Sequence, residues 1–468
     1  MKCKLFAFCA ALPLFAHADT QAILVGGGYK LESSQGQIEE NVRWLQQVLP
    51  NHVNSLDIFF GSGTNEKTHD VVYWDNTARS SEQRNSLADV LDSPSSEWMR
   101  YKHNQVNPNF GSTEKSNLES KLGTYLPQLK SNNFLFVYNG HGGYGGLGKT
   151  HLNNFLLWNN TQLNTDEFRN LLDKIPPKTT SRFVLTQCYS GGFYNAVINN
   201  NKVIPHRCGF MADAENLEAE GCELGINKDD FRDYTTYFFA ALNGKTRHNE
   251  ALMFNPDKDG NQKISFREAH FYALEAALSS DLSRSTSEIF LEKWQPWHIR
   301  WQTDRSAQND YDTLAKAVAI RNSIQPDKLN QQRSTKELEL ADIQSKKQAT
   351  TEKIKSLQKT LLAHLELDFP FLKHPYTSSY TSAINQQTEL IQQKIRQLGE
   401  YPQLVNELNL MEQLLTQELA KKREITQIEK VRRLQRLAIL ENAFDRFASS
   451  EQKRGYQSLV DCEKGHLN

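Results

Sequence analysis

The 468-residue sequence predicts an α/β domain with a mostly parallel sheet flanked by helices, joined to an all-α C-terminal domain built as a coiled coil or short bundle. Three observations carry that expectation. From Asp19 to about residue 245, short apolar β-rich runs alternate with amphipathic stretches, as parallel strands linked by helices do. Two of those runs end in glycine-rich turns that bear a histidine and a cysteine. Past about residue 306, Gln, Lys, Glu and Leu dominate and apolar residues recur every three or four positions, the period of a helix.

At the N-terminus, Met1-Lys2-Cys3-Lys4 precedes an apolar run from Leu5 to Phe15 and then Ala16-His17-Ala18, the layout of a cleavable signal peptide over residues 1–18. The run falls far short of the roughly 20 residues that span a bilayer. An exported product with no membrane span, periplasmic or secreted, is expected. Lys+Arg 54 against Asp+Glu 55 leaves a net charge of -1, which provides no overall field for nucleic acid or an anionic membrane. Beyond the leader stand Cys188, Cys208, Cys222 and Cys462, too few for a disulfide scaffold and without a CxxC pair for zinc. One disulfide plus free thiols is the natural count.

Residues 22–25 read as the first strand, Gly26-Gly27-Gly28 as a turn and residues 38–49 as a helix. The turn matches neither a P-loop nor GxGxxG, so nucleotide binding is not expected there. Residues 55–60 read as a second strand, and the polar stretch 61–112 as a long surface excursion of the kind that shapes a cleft. A helix over 118–129, a strand over 134–138, a helix over 167–172 and a strand over 182–186 complete this part. The α/β domain is drawn over residues 19–305 and the helical domain over 306–468.

Tyr138-Asn139-Gly140-His141-Gly142-Gly143 follows one buried strand, which places His141 at the carboxyl end of the sheet, where open α/β folds put their sites. Thr186-Gln187-Cys188-Tyr189-Ser190-Gly191-Gly192 follows another, so a thiol and an imidazole are expected at the same edge. A cysteine needs a nearby base or a lowered pKa to act as a nucleophile, and His141 supplies the base.

A strand ending in His-Gly, then a strand ending in Gln-Cys followed by Ser-Gly-Gly, resembles the caspase/legumain/gingipain clan of cysteine peptidases, with a bacterial legumain-like branch nearest. The resemblance covers roughly residues 20–275 and lacks the Ala that separates Gln from Cys in the caspase signature. It implies a caspase-hemoglobinase-like fold, a cysteine endopeptidase acting on a peptide or protein substrate, Cys188 as nucleophile and His141 as proton donor to the leaving group. It also implies an oxyanion hole from the backbone amides of Gly142 and Cys188, and no cofactor for catalysis. The substrate pocket should lie beside residues 207–212, with Asp213 and Glu215 as its carboxylates and a basic residue, Asn or Asp as the preferred side chain. By the same resemblance the region after 306 is a latency cap or binds a protein partner. A silent scaffold and a transpeptidase using the same acyl-enzyme are the competing readings. Cys208 and Cys222 flank the pocket segment and are able to pair with each other, or either with Cys462.

Asp257-Lys258-Asp259-Gly260-Asn261-Gln262-Lys263-Ile264-Ser265-Phe266-Arg267-Glu268 resembles an EF-hand loop, with Asp257, Asp259, Asn261, Lys263 through its carbonyl, Ser265 and Glu268 as calcium ligands. Gln262 stands where that loop has glycine, and a frame starting at Asn255 restores Gly260 there but loses the final glutamate. A structural Ca2+ is the expectation. Trp294, Trp297 and Trp301 lie between the two domains and read as packing residues.

In the helical region Leu340, Ile343, Ile354, Leu357 and Leu361 keep the 3–4 spacing, with Lys347 and Thr350 interrupting the seam. Two prolines break the helix within 368–375. A further helix is expected over 402–447, with Leu404, Leu415, Ile428, Val431 and Leu434 on its apolar side.

Overall fold

The computed structural model describes residues 19–74, 85–91, 99–226, 228–297, 299 and 308–467. The signal segment 1–18, Trp301 and the stretch 301–307 that holds the expected domain boundary lie outside the described residues.

Strand β1 (Thr20–Gly27), helix α1 (Gly36–Val48) and strand β2 (Ser55–Phe60) open the sheet. The polar excursion contains a hairpin of β3 (Val71–Trp74) and β4 (Met99–Lys102), and helix α2 (Ser86–Leu91). Next come α3 (Lys115–Tyr125), β5 (Asn133–Gly143), a β6 (Asn154–Leu157) and β7 (Thr161–Asn164) pair, α4 (Thr165–Leu172) and β8 (Thr180–Leu185). A short β9 (Ile198–Asn199) and β10 (Lys202–Val203) hairpin precedes β11 (Arg207–Met211), α5 (Tyr234–Asn243), α6 (Phe266–Ala276), β12 (Arg284–Ser285) and α7 (Thr286–Lys293).

The main sheet runs β12-β11-β8-β5-β1-β2, parallel throughout except for the edge strand β12. Its central strands are buried on both faces, which is why Ala22–Val25 and Phe134–Tyr138 are unbroken apolar runs instead of alternating ones. One face packs Ile38, Val42, Phe238 and Ala273, and the other Leu118, Phe168, Phe193 and Ile289, so helices cover both sides. Chain order reverses between β1 and β5, the point at which open α/β sheets place their sites, at the carboxyl ends of the strands.

The helical region comprises α8 (Asp310–Arg321), α9 (Leu329–Asp368), α10 (Tyr380–Gln397), α11 (Tyr401–Phe447) and α12 (Ser450–Glu463). The break falls where the prolines predict it, between α9 and α10, in a turn through Pro370. Thr350 does not interrupt the α9 seam: it is buried within it, and Lys347 pairs across to Glu418 of α11. On α11 Leu414 is buried and Leu415 is exposed, a correction to the expected stripe. A straight 3.6-residue helix drifts against a 3–4 count over this length, so the inward position moves by one.

The helices are tied back to the sheet. Cys462 of α12 forms a disulfide with Cys208 of β11, the pairing across the two regions, while Cys188 and Cys222 are free. The buried Arg182 of β8 donates to the Cys462 carbonyl at 2.8 Å. Trp294 packs edge-on against Phe444 of α11 at 4.9 Å, as an interdomain contact should, whereas Trp297 is exposed.

Candidate active site

His141 sits where β5 changes partners. Up to Gly140 the strand pairs in parallel with β1, and from His141 to Gly143 it pairs antiparallel with β6. The ring stands edge-on to Tyr29 at 5.7 Å, and its Nε2 lies 2.7 Å from both the Ser33 carbonyl and Gln35 Oε1. A carbonyl only accepts, so Nε2 carries the hydrogen and the neutral ring leaves Nδ1 as its basic atom. Burial holds the His141 pKa below the usual imidazole value, with the Ser33 carbonyl opposing. At neutral pH the ring is therefore a base. The Gly26–Gly28 turn serves here to lead into the loop that orients His141, with the Gly28 amide donating to Ser34 Oγ at 3.0 Å.

Cys188 follows β8 in a sharp turn. Tyr189 takes a left-handed backbone, φ 59°, which a bulky residue adopts only when its surroundings impose it. The buried Asn153 holds this turn: its Nδ2 donates to the Tyr189 carbonyl at 2.9 Å and to the Glu215 carbonyl at 2.8 Å, and its Oδ1 accepts from the Gly145 amide at 2.9 Å. Gly142 and Cys188 meet backbone to backbone, since a Cβ on Gly142 would fall 2.1 Å from the Cys188 carbonyl oxygen. Only glycine fits there.

The sulfur is partly buried. Cys188 Sγ donates to the Ala219 carbonyl at 3.8 Å, and among the described residues it has no hydrogen bond to His141. Burial, with the nearby Glu218, Asp213 and Asp281 carboxylates, pushes the thiol up to about 11. Both polar atoms of the buried Gln187 amide lack a partner among the described residues.

The segment that carries Ala219, residues 214–225, has no helix or sheet strand of its own. The Tyr189 amide donates to the Leu217 carbonyl at 2.8 Å, and Tyr189 Oη donates to Glu218 at 2.8 Å. Further along, the Glu223 amide donates to Gln37 Oε1 at 3.0 Å and the Trp74 amide to the Leu224 carbonyl at 2.9 Å. Cys222 Sγ lies 3.9 Å from the Gly140 carbonyl, so the two free cysteines are neighbours at one sheet edge.

Of the two expected pocket carboxylates, Asp213 is buried and Glu215 is turned out toward Lys293 at 3.9 Å. Asp213 Oδ1 accepts from the Ala214 amide at 2.7 Å and the Leu282 amide at 3.3 Å, while Oδ2 has no partner among the described residues. Burial pushes Asp213 up to about 7. The Asp213 backbone is joined to the Cys188 turn through Ser190 Oγ at 3.1 Å.

In the loop before α6, the carboxylate oxygens of Asp257, Asp259 and Glu268 all lie within 4.8 Å of one another. Gln262 adopts φ 64°, the left-handed turn for which an EF-hand loop uses glycine, so the first frame keeps its geometry without the glycine. Asp257 accepts from the Gly260 and Gln262 amides at 2.8 and 3.0 Å, and Asn261 from the Lys263 amide at 2.8 Å. Glu268 caps α6 with Ser265 and also accepts from the Lys258 amide at 2.8 Å. The oxygen-only donor set suits a hard cation.

No protein-family model and no curated protein matches the chain. Among solved structures, one that is similar is the crystal structure of a protein from Geobacter sulfurreducens, with 11% identity and a TM-score of 0.34 over 57% of this chain and 92% of that one.

Proposed function

We propose that this chain is an exported cysteine endopeptidase of the caspase/legumain/gingipain kind, with Cys188 as nucleophile and His141 as acid and base. The observation that carries the reading is the meeting of the two glycine-rich turns at one sheet edge, with Gly142 against the Cys188 backbone and His141 held through Nε2 by the Ser33 carbonyl and Gln35. In the reaction His141 takes the thiol proton, the sulfur bonds to the peptide carbonyl carbon, and the Gly142 and Cys188 amides hold the oxyanion. The C–N bond then breaks, the amine leaves with the proton from His141, and water hydrolyses the thioester.

Asp213 is proposed as the carboxylate that selects a basic side chain, because its second oxygen is buried without a partner beside the nucleophile turn. A polar atom left in that state costs about 1–3 kcal/mol, which a substrate guanidinium or ammonium would recover. Export rests on the leader sequence alone. No helix among the described residues is long and apolar enough to cross a membrane.

Purified mature protein incubated with a mixed peptide library, beside Cys188→Ala and read by mass spectrometry, tests the activity. Cuts that vanish in the variant support a peptidase. Cuts in neither, even after removal of the helical region, favour a silent scaffold, a reading to which the raised pKa of the partly buried thiol lends weight.

We further propose that Asp257, Asp259, Asn261, the Lys263 carbonyl, Ser265 and Glu268 hold a structural Ca2+. At calcium a hundredfold above its dissociation constant, linkage predicts about 2.7 kcal/mol of added stability. Melting with and without calcium measures this, and Asp257→Asn with Asp259→Asn should abolish the difference.

A further inference from the structure

We propose that residues 214–225 form a reversible strap that shields Cys188, and that the Glu220–Arg423 ion pair is the latch by which the helical region holds the strap shut. The inference rests on Cys188 being the reactive thiol, and it places the cover in a loop of the α/β domain, with the helices acting only through one side chain.

The ties divide into three groups. At its start the strap hangs on the nucleophile turn, through Asn153 and the Tyr189 amide. At its end it is pinned to Gln37 and Trp74. In the middle, where Ala219 meets the sulfur, the next residue Glu220 is the main anchor, beside the Cys222 contact to the Gly140 carbonyl: its amide donates to Asp281 Oδ1 at 2.7 Å, and its carboxylate accepts from the Ser280 amide at 2.6 Å. Arg423 of α11 completes this anchor with a two-pronged contact, Nε at 3.0 Å and an NH2 nitrogen at 2.6 Å. Among the described residues it is the only hydrogen bond or ion pair from the strap to the helical region.

Arg423 is positioned with intent by its helix. Arg423, Thr426, Gln427, Lys430 and Arg433 share one face of α11, and the last four bond the carbonyls of Ser280, Ser279, Ala277 and Ser283. Movement of α11 relative to the 277–283 segment therefore displaces Arg423 from Glu220. Arg423 also lines a groove of about 840 Å³ between α9 and α11, so its other side is open to solvent. Two costs of the shut state sit beside the sulfur and would be relieved on opening: the unpartnered Gln187 amide and Asp213 Oδ2.

The test is the rate at which iodoacetamide labels Cys188 in the full chain, mapped by peptide mass so that Cys222 is scored separately. Glu220→Gln and Arg423→Ala should each raise labelling about tenfold or more, while Asp368→Asn, in a distal ion pair, should not change it. Hydrogen exchange on the same proteins should show faster exchange in 214–225 with the central strand 134–138 still protected. Labelling of both latch variants at the parental rate, with the fold intact, overturns the latch, as does acceleration accompanied by loss of protection across the sheet. Because labelling needs no substrate, faster labelling without peptide cleavage leaves the latch standing and defeats the peptidase reading. Cleavage by the parent protein with unchanged labelling in the variants does the reverse.

Discussion

The two halves of α11 lie in opposite environments. From Ile428 to Phe444 the helix is buried against α8 and the α/β domain, and its ion pairs are internal: Arg433 reaches Glu288 at 2.8 Å and Glu292 at 2.5 Å, and Glu288 also meets the buried His270 at 3.2 Å. From Tyr401 to Leu414 it runs beside α9 and α10 over a narrow seam of Leu361, Leu365, Ile391, Ile395 and Leu404. That distal end is clasped by α2 from the polar excursion, where Tyr401 Oη donates to Asp89 at 2.8 Å and Gln358 donates to the Asp89 carbonyl at 2.8 Å. One helix thus packs on the α/β domain at one end and on its own helical neighbours at the other. The difference teaches that helix length alone says nothing about coupling to the site; the internal charges do.

If the proximal half is part of the body, cutting its covalent tie should matter most. The Cys208–Cys462 bond closes a loop across 254 residues of sequence, and its reduction should cost about 4–5 kcal/mol, read as a drop in the denaturant midpoint. Arg433→Met should follow at about 3 kcal/mol, because it leaves the buried Glu288 with His270 alone, while Glu292 keeps Arg284 at 3.2 Å. Equal tolerance of either change and of a distal one would erase the contrast between the halves.

The pH dependence sharpens the same contrast. Burial raises Asp213 from 3.8 to about 7, so its favourable neutral form is fully present below 3.8 and is lost as pH rises through about 7. Asp213→Asn should remove that fall, a slope of at most about 1.4 kcal/mol per pH unit, in urea midpoints taken from pH 4 to 7.5. Glu288 runs the other way. Burial would raise its pKa, but Arg433 and His270 hold it well below the usual carboxylate range, so its contribution is present above 4.5 and lost as acid protonates it. In the distal arm, Lys394→Ala breaks an exposed pair with Asp368 and should shift stability by no more than about 0.5 kcal/mol.

Much of the α/β frame was legible because buried parallel strands are written as continuous apolar runs ending in glycine. His141 and Cys188 were found for that reason, since each closes such a run. Ser33, Gln35 and Asn153, which orient them, were not found: single polar residues in loops carry no periodicity. Glu220 carries no local signal, because its partner Arg423 lies 203 residues away, beyond any local pattern. The excursion 61–112 was seen as a cleft-shaping loop, but its helix α2 docks on the distal helices, a contact that needs the fold to exist. Cys462 could not be assigned to Cys208 from spacing, because α12 returns to the sheet only after the whole arm has been traversed.

The most direct test of the central claim is covalent. Glu220→Gln, with the strap released, is treated with a peptide chloromethyl ketone carrying a basic side chain, and the adduct is located by peptide mapping. Cys188 as the modified residue, with modification slowed at least a hundredfold by His141→Ala, is the predicted result. An adduct on another residue, or a rate indifferent to His141, would contradict the account.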